Sequence, residues 1–287
     1  MIIYRLLSRV PFPLLYFLAW LTYLVIYFLA GYRKTVVRQN LRAAFPQKNE
    51  KELTILAKKF YRQLCEVGLE IVKAQRMQRQ DFLRRMVVRN PEVLREASGG
   101  YRDPVLVLTI HQGNWDWMLH GMTAALEIPM DPVYKHLHNP ASDRLMLEVR
   151  SRFGARPIAL ENVTREVLAR RREFRCLVMV ADQSPIRRER GYWTDFMHRP
   201  AAFHPGPETI ARLTGMPVLF AQCRRRHRGH YEIELHPLAT PPLPEEDNVI
   251  TQRYVRMAER AIAEEPESWL WSNRRWKREP PPGTAAA

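Results

Sequence analysis

Residues Pro104 to Asp116 read PVLVLTIHQGNWD, and this stretch decides the fold. Pro104 to Ile110 is short, apolar and β-branched, the composition of a strand buried on both faces of a sheet. HQGNWD then turns abruptly polar. Gly113 permits a tight turn, Asn114 is a residue type that caps helices, and the chain continues as a helix to Leu126. Working outward, further strands are expected at Pro132–Lys135, Ala155–Leu160, Cys176–Ala181 and Pro217–Cys223. Tyr231–His236 alternates apolar and polar, as an outer strand does. Helices are expected at Lys51–Gln75, Ala141–Phe153, Val163–Arg172, Glu208–Leu213 and Val249–Glu264. Alternating strands and helices make the fold class α/β, a mostly parallel sheet flanked by helices.

His111 leaves the end of that central strand, and ligands bind at the carboxyl ends of strands in open α/β sheets. Asp116 falls in the first turn of the following helix. On one continuous helix a spacing of five would set the pair about 140° apart. With His111 on the preceding turn, the carboxylate can reach back to one ring nitrogen. A carboxylate fixes the tautomer and stabilises the imidazolium. The other nitrogen is then free to take a proton from a hydroxyl attacking a thioester. The competing reading from spacing alone is structural: Asp116 complements the helix N-terminus and His111 is a satisfied loop residue.

The chain has 287 residues, enough for one large α/β domain, and its net charge is +15. Such an excess implies an acidic partner: nucleic acid, an anionic membrane or a phosphorylated substrate. No zinc-ligand set, aromatic RNA-binding strand or basic heptad array is present, which argues against nucleic acid. Cys65, Cys176 and Cys223 are too few and too scattered for a disulfide scaffold or a cysteine metal site. His136, His138, His198, His204, His227 and His230 show no convincing ligand spacing, so no metal and no cofactor are expected.

Leu14–Ala30 (LLYFLAWLTYLVIYFLA) carries no charge. As a helix it is about 26 Å long, slightly under a hydrocarbon core of about 30 Å. Arg5 and Arg9 precede it, and Arg33, Lys34, Arg38 and Arg42 follow. It reads as a retained anchor, spanning or embedded, with a cleaved signal peptide and a buried core helix as the alternatives. The heavier basic flank puts the main domain on the cytoplasmic side. The expected organisation is an anchor with its basic flank at 1–38, a catalytic domain at 39–278 and a disordered Pro/Ala-rich tail at 279–287.

Several segments, in order, resemble the late acyltransferases of lipid A biosynthesis, the lauroyl and myristoyl transferases of Gram-negative bacteria, within the wider glycerolipid acyltransferase superfamily. They are Asn40–Pro46 (NLRAAFP), His111–Asp116, Val133–Lys135 (VYK), Arg150–Gly154 (RSRFG), Ala181–Pro185 (ADQSP), Phe203–Val218 and Pro266–Lys277 (PESWLWSNRRWK). The resemblance implies an acyl carrier protein thioester as donor, a lipid A precursor as acceptor, and work at the cytoplasmic face of the inner membrane. It implies His111 as base with Asp116 orienting it, and Asn114, Lys135, Arg150, Asp182 and Gln183 as substrate-binding residues. Arg150 would hold a phosphate or sugar, and Asp182 and Gln183 would line the site from another strand. The chain departs from the pattern at Asp116, where the family more often has Glu, at Lys135, where it favours Arg, and at Phe196-Met197-His198, where it often has Phe-Phe-Gly. The acceptor is therefore open to other lipids, a lysophospholipid or aminolipid with acyl-CoA or acyl carrier protein as donor included. A non-catalytic scaffold on the same fold is the remaining alternative.

Overall fold

The computed structural model describes residues 2–185 and 191–281. Residues 186–190, with three arginines of the basic surplus, and residues 282–287 of the tail lie outside the described residues. The central element is β2 (Val105–Thr109), buried at every position. It pairs in parallel with β5 (Cys176–Val180) on one side and β8 (Val218–His227) on the other. Beyond β5 come β3 (Met130–Tyr134) and β4 (Ile158–Ala159), also parallel. Beyond β8, β9 (His230–Ala239) returns antiparallel, and the short β1 (Met86–Val88) closes that end parallel to β9. The sheet order is therefore β1-β9-β8-β2-β5-β3-β4.

Two corrections follow. The Tyr231–His236 segment, expected at an edge, is covered by β1, because the Met86–Val88 pairing is too short to register as a strand pattern. A separate hairpin, β6 (Tyr192–Phe196) with β7 (Arg199–Phe203), was not foreseen from the sequence. Its turn residues, Met197 and His198, both adopt positive φ without a glycine, so the usual hairpin signal is missing.

Alternate residues of β2 feed opposite layers, as the period of two requires. Leu106, Leu108 and Ile110 pack with α3 (Lys34–Ala44), α4 (Glu50–Lys73), α10 (Gly206–Thr214) and α11 (Val249–Glu264). Val105 and Val107 pack on the other face with α5 (Arg79–Arg85), α6 (Pro91–Ala97), α7 (Trp115–Leu126) and α8 (Pro140–Arg150). Helix α9 (Val163–Ala169) completes the connection from β4 to β5. Asn49 opens α4 with a capping box closed by Glu52. All three cysteines are free and buried, in line with a packing role.

The apolar N-terminal stretch is helical. A short α1 (Ile2–Leu7) precedes α2 (Phe12–Leu24), which runs on through a π-helical turn to Leu29. Phe12–Leu29 is long and apolar enough to cross a membrane by length and composition, with mean hydropathy 1.9. Part of the basic surplus is neutralised internally. Arg225 and Arg228 both pair with Glu66, Arg226 with Glu232, and Arg224 with Glu264.

Candidate active site

Parallel register builds the site. Thr109 on β2 lies opposite Val180 on β5. Two residues further along each strand, His111 and Asp182 leave the sheet side by side. The Asp182 Oδ1 atom lies 2.5 Å from His111 Nδ1, and Oδ2 accepts the His111 backbone N–H at 3.0 Å. Oδ2 also accepts from the indole Nε1 of Trp269 at 2.7 Å. Asp182 is 2 % exposed, and three donors on a buried carboxylate satisfy it. Burial would raise its pKa, but the His111 contacts and the Trp269 bond outweigh it and hold it below the ordinary value. For His111 burial pulls downward, and the Asp182 charge and hydrogen bond reverse the sign, so its pKa is raised.

The other ring nitrogen, Nε2, is 3.2 Å from the Gln183 side-chain nitrogen. The two contacts select one tautomer. Nδ1–H donates to Asp182, and the Nε2 lone pair accepts from the Gln183 amide. Trp115 packs edge-on to the ring at 5.2 Å between centroids. An imidazole held in this state, with Nε2 against exposed Gln183 at the carboxyl end of a sheet, is equipped to take a proton from a hydroxyl.

Asp116 does not make the expected contact. Its carboxylate is gripped at both oxygens by Arg150, through Nε at 2.9 Å and Nη2 at 3.1 Å. The reason is geometric. Asp116 is committed to the first turn of α7, facing the end of α8, where a planar guanidinium matches its two oxygens. The ring's hydrogen-bonding position falls to Asp182 through strand register instead. Asp116 still acts on His111 through its charge, raising the ring pKa, while Arg150 lowers it.

Asn114 is the helix cap its residue type suggested, and it is buried. It caps α7 by accepting from the Trp117 N–H at 2.9 Å, and its amide donates to Glu70 at 2.9 Å. It is 0 % exposed, so it supports the turn from inside. Lys135 follows β3 at the same edge of the sheet and is exposed. Arg150 is half-buried, with two donors spent on Asp116.

Sequence reasoning missed two supports. Trp269 and Trp271, in the Pro266–Lys277 segment, are both buried. Their segment is laced onto the turn: the Leu270 N–H donates to the His111 carbonyl and the Gly113 N–H to the Ser268 carbonyl. Glu70 was also missed. It is buried and accepts from Tyr16, Asn114 and Tyr231. A lone glutamate at helical spacing carries no signal for such a hub.

Gly113 has φ +59°, and a Cβ there would stand 2.6 Å from the Cys223 carbonyl oxygen. Gly113→Ala is expected to cost about 1–3 kcal/mol through backbone strain alone. At roughly 2–4 °C per kcal/mol, thermal unfolding should show the loss directly.

An α/β sheet that delivers a carboxylate-held histidine to its carboxyl edge has the layout of an enzyme using acid–base chemistry. Residues 1–278 match the family model for bacterial lipid A biosynthesis acyltransferases, and the chain belongs to that family of acyltransferase enzymes. A comparison with curated proteins finds no match.

Proposed function

We propose that the chain transfers a fatty acyl group from an acyl carrier protein thioester to a hydroxyl of a lipid A precursor or related glycolipid. One observation carries the site assignment: His111 has Nδ1 tied to buried Asp182 and Nε2 against the side-chain amide of exposed Gln183. In this reading the acceptor hydroxyl displaces the Gln183 amide at Nε2. His111 takes the hydroxyl proton as the oxygen attacks the thioester carbonyl. The C–S bond breaks as the intermediate collapses, and the imidazolium returns the proton to the departing thiolate. The new ester and the free thiol leave His111 neutral again.

Asp182 orients the ring and stabilises its charged form. Asp116 fixes Arg150, whose charge then stands near the reacting atoms. Lys135, exposed at the same edge, is suited to an acidic group of either substrate. The chemistry calls only on acid–base and charged groups. The catalytic domain would work at the cytoplasmic face of the inner membrane, as the heavier basic flank after the apolar helix suggests.

The test is a transfer assay on the full chain in lipid vesicles. Acyl carrier protein thioester and acyl-CoA are compared as donors, and a lipid A precursor, a lysophospholipid and an aminolipid as acceptors, with products read by mass spectrometry. The expected result is an ester-linked chain added to the lipid A precursor from the carrier protein. Preferential acylation of a lysophospholipid from acyl-CoA would replace this reading with the alternative.

A further inference from the structure

The apolar N-terminal helix is docked lengthwise on the globular part of the chain, at both ends. At its start, the Lys73 ammonium donates to the carbonyls of Ser8 and Val10 at 2.9 and 2.8 Å. Phe12 lies under the Arg85 guanidinium at 3.8 Å. One turn on, the Tyr16 hydroxyl donates to Glu70 at 2.9 Å, and Leu15 and Ala19 are fully buried. Beyond its end, the Tyr61 hydroxyl donates to the Tyr32 carbonyl, and Tyr27 packs on the Tyr61 ring at 5.3 Å. Residues 8–16 thus meet 70–73 and residues 27–32 meet 61, so the helix runs antiparallel to α4.

That placement is incompatible with crossing a bilayer. Standing α2 along the membrane normal would carry α4 into hydrocarbon beside it. Lys58, Lys59 and Arg62 of α4 are exposed, and Glu66 binds Arg225 and Arg228 from β8 and the turn after it. Each charge at mid-bilayer costs at least about 2.5–3.5 kcal/mol. The side of the helix turned away from α4 tells the same story. Leu14, Phe17, Leu21, Val25 and Phe28 recur at three and four, and each is between 39 and 56 % exposed. A helix apolar all round needs apolar neighbours all round. Here α4 supplies one side and nothing polar suits the other.

We propose that Phe12–Leu29 lies in the plane of an anionic bilayer surface, its outer stripe in the acyl region, and does not span. The charges at its two ends fit that occupant. Arg5 and Arg9 flank one end and Lys34, Arg38 and Arg42 the other, so both ends would sit at headgroup level. A cleft of about 1040 Å³ beside the second end gathers Lys34, Arg38, Arg42 and Arg199 next to Tyr27, and its carboxylate Glu50, paired with Arg38 and Arg42, leaves the cationic side in excess. This inference does not depend on the acyl-transfer reading.

The test uses single cysteines at Arg9→Cys, before the helix, and Gln47→Cys, after it. Both positions are exposed, and the native Cys65, Cys176 and Cys223 are buried, so their background is low. Inverted and right-side-out inner-membrane vesicles carrying the full chain are treated with a membrane-impermeant maleimide. An in-plane helix gives label at both positions in one vesicle type and at neither in the other. Label at the two positions in opposite vesicle types shows a span and overturns the proposal. Loss of the Arg9→Cys label from both preparations and after detergent solubilisation, as cleavage would give, overturns it too. So does recovery of the chain as a soluble dimer, with a second copy covering the stripe.

Discussion

His111→Ala is expected to leave a folded, membrane-associated chain whose acyl transfer is slowed about 10²–10⁴-fold, the usual contribution of a positioned general base. The fold should tolerate the change because Asp182 keeps two of its three donors, the residue-111 backbone N–H and the Trp269 indole. Neither depends on the imidazole. Circular dichroism and thermal unfolding establish that the variant is folded, and initial rates with the preferred donor and acceptor measure the loss. Turnover within a few-fold of the parent would remove His111 as the base and, with it, the assigned site.

Asp182→Asn is expected to lower kcat by a comparable factor with little change in KM. The asparagine oxygen can still accept from the His111 backbone and Trp269. Its NH2 would then face Nδ1 and force that nitrogen to become the acceptor. The ring proton would move to Nε2, the atom that must be free to receive one. A pH profile separates this from simple damage. A base must be neutral to act, so kcat/KM should rise through the His111 pKa, which the Asp182 charge and hydrogen bond hold above the ordinary value against the pull of burial. Without the carboxylate charge, burial dominates and the pKa falls. The acidic limb should therefore move to lower pH while the plateau drops. Asp116→Asn should cost less in rate, because it loosens Arg150 and leaves the ring's tautomer intact. If Asp116→Asn proves the more damaging of the two and Asp182→Asn leaves the limb in place, the orienting role passes back to Asp116.

That contrast shows where sequence reading reached its limit. His111 at a strand exit, Gly113 in a left-handed turn and Asn114 as helix cap follow from local chemistry, since each concerns neighbours a few residues away. The partner of His111 is 71 residues distant. Nothing local sets β2 beside β5 in the register Thr109↔Val180, and that register alone brings Asp182 to the ring. Asp116 was the nearer carboxylate in sequence, but the end of α8 brought a bidentate guanidinium to it. Trp269 escaped notice as a site residue for the same reason: its indole reaches Asp182 only when the C-terminal segment folds back over the turn.

By itself the sequence determined the α/β class, the buried central strand, the capped turn carrying His111, and an apolar helix between basic flanks. These are written in periodicity, in glycine and cap chemistry, and in the cost of burying charge, all of which act over a few residues. Tertiary structure decided which carboxylate holds the histidine, which tryptophans support it, and that the apolar helix rests along α4 with one side left bare. Those outcomes depend on strand register and on which surfaces pack, and both are fixed only when segments far apart in the chain compete for the same contacts.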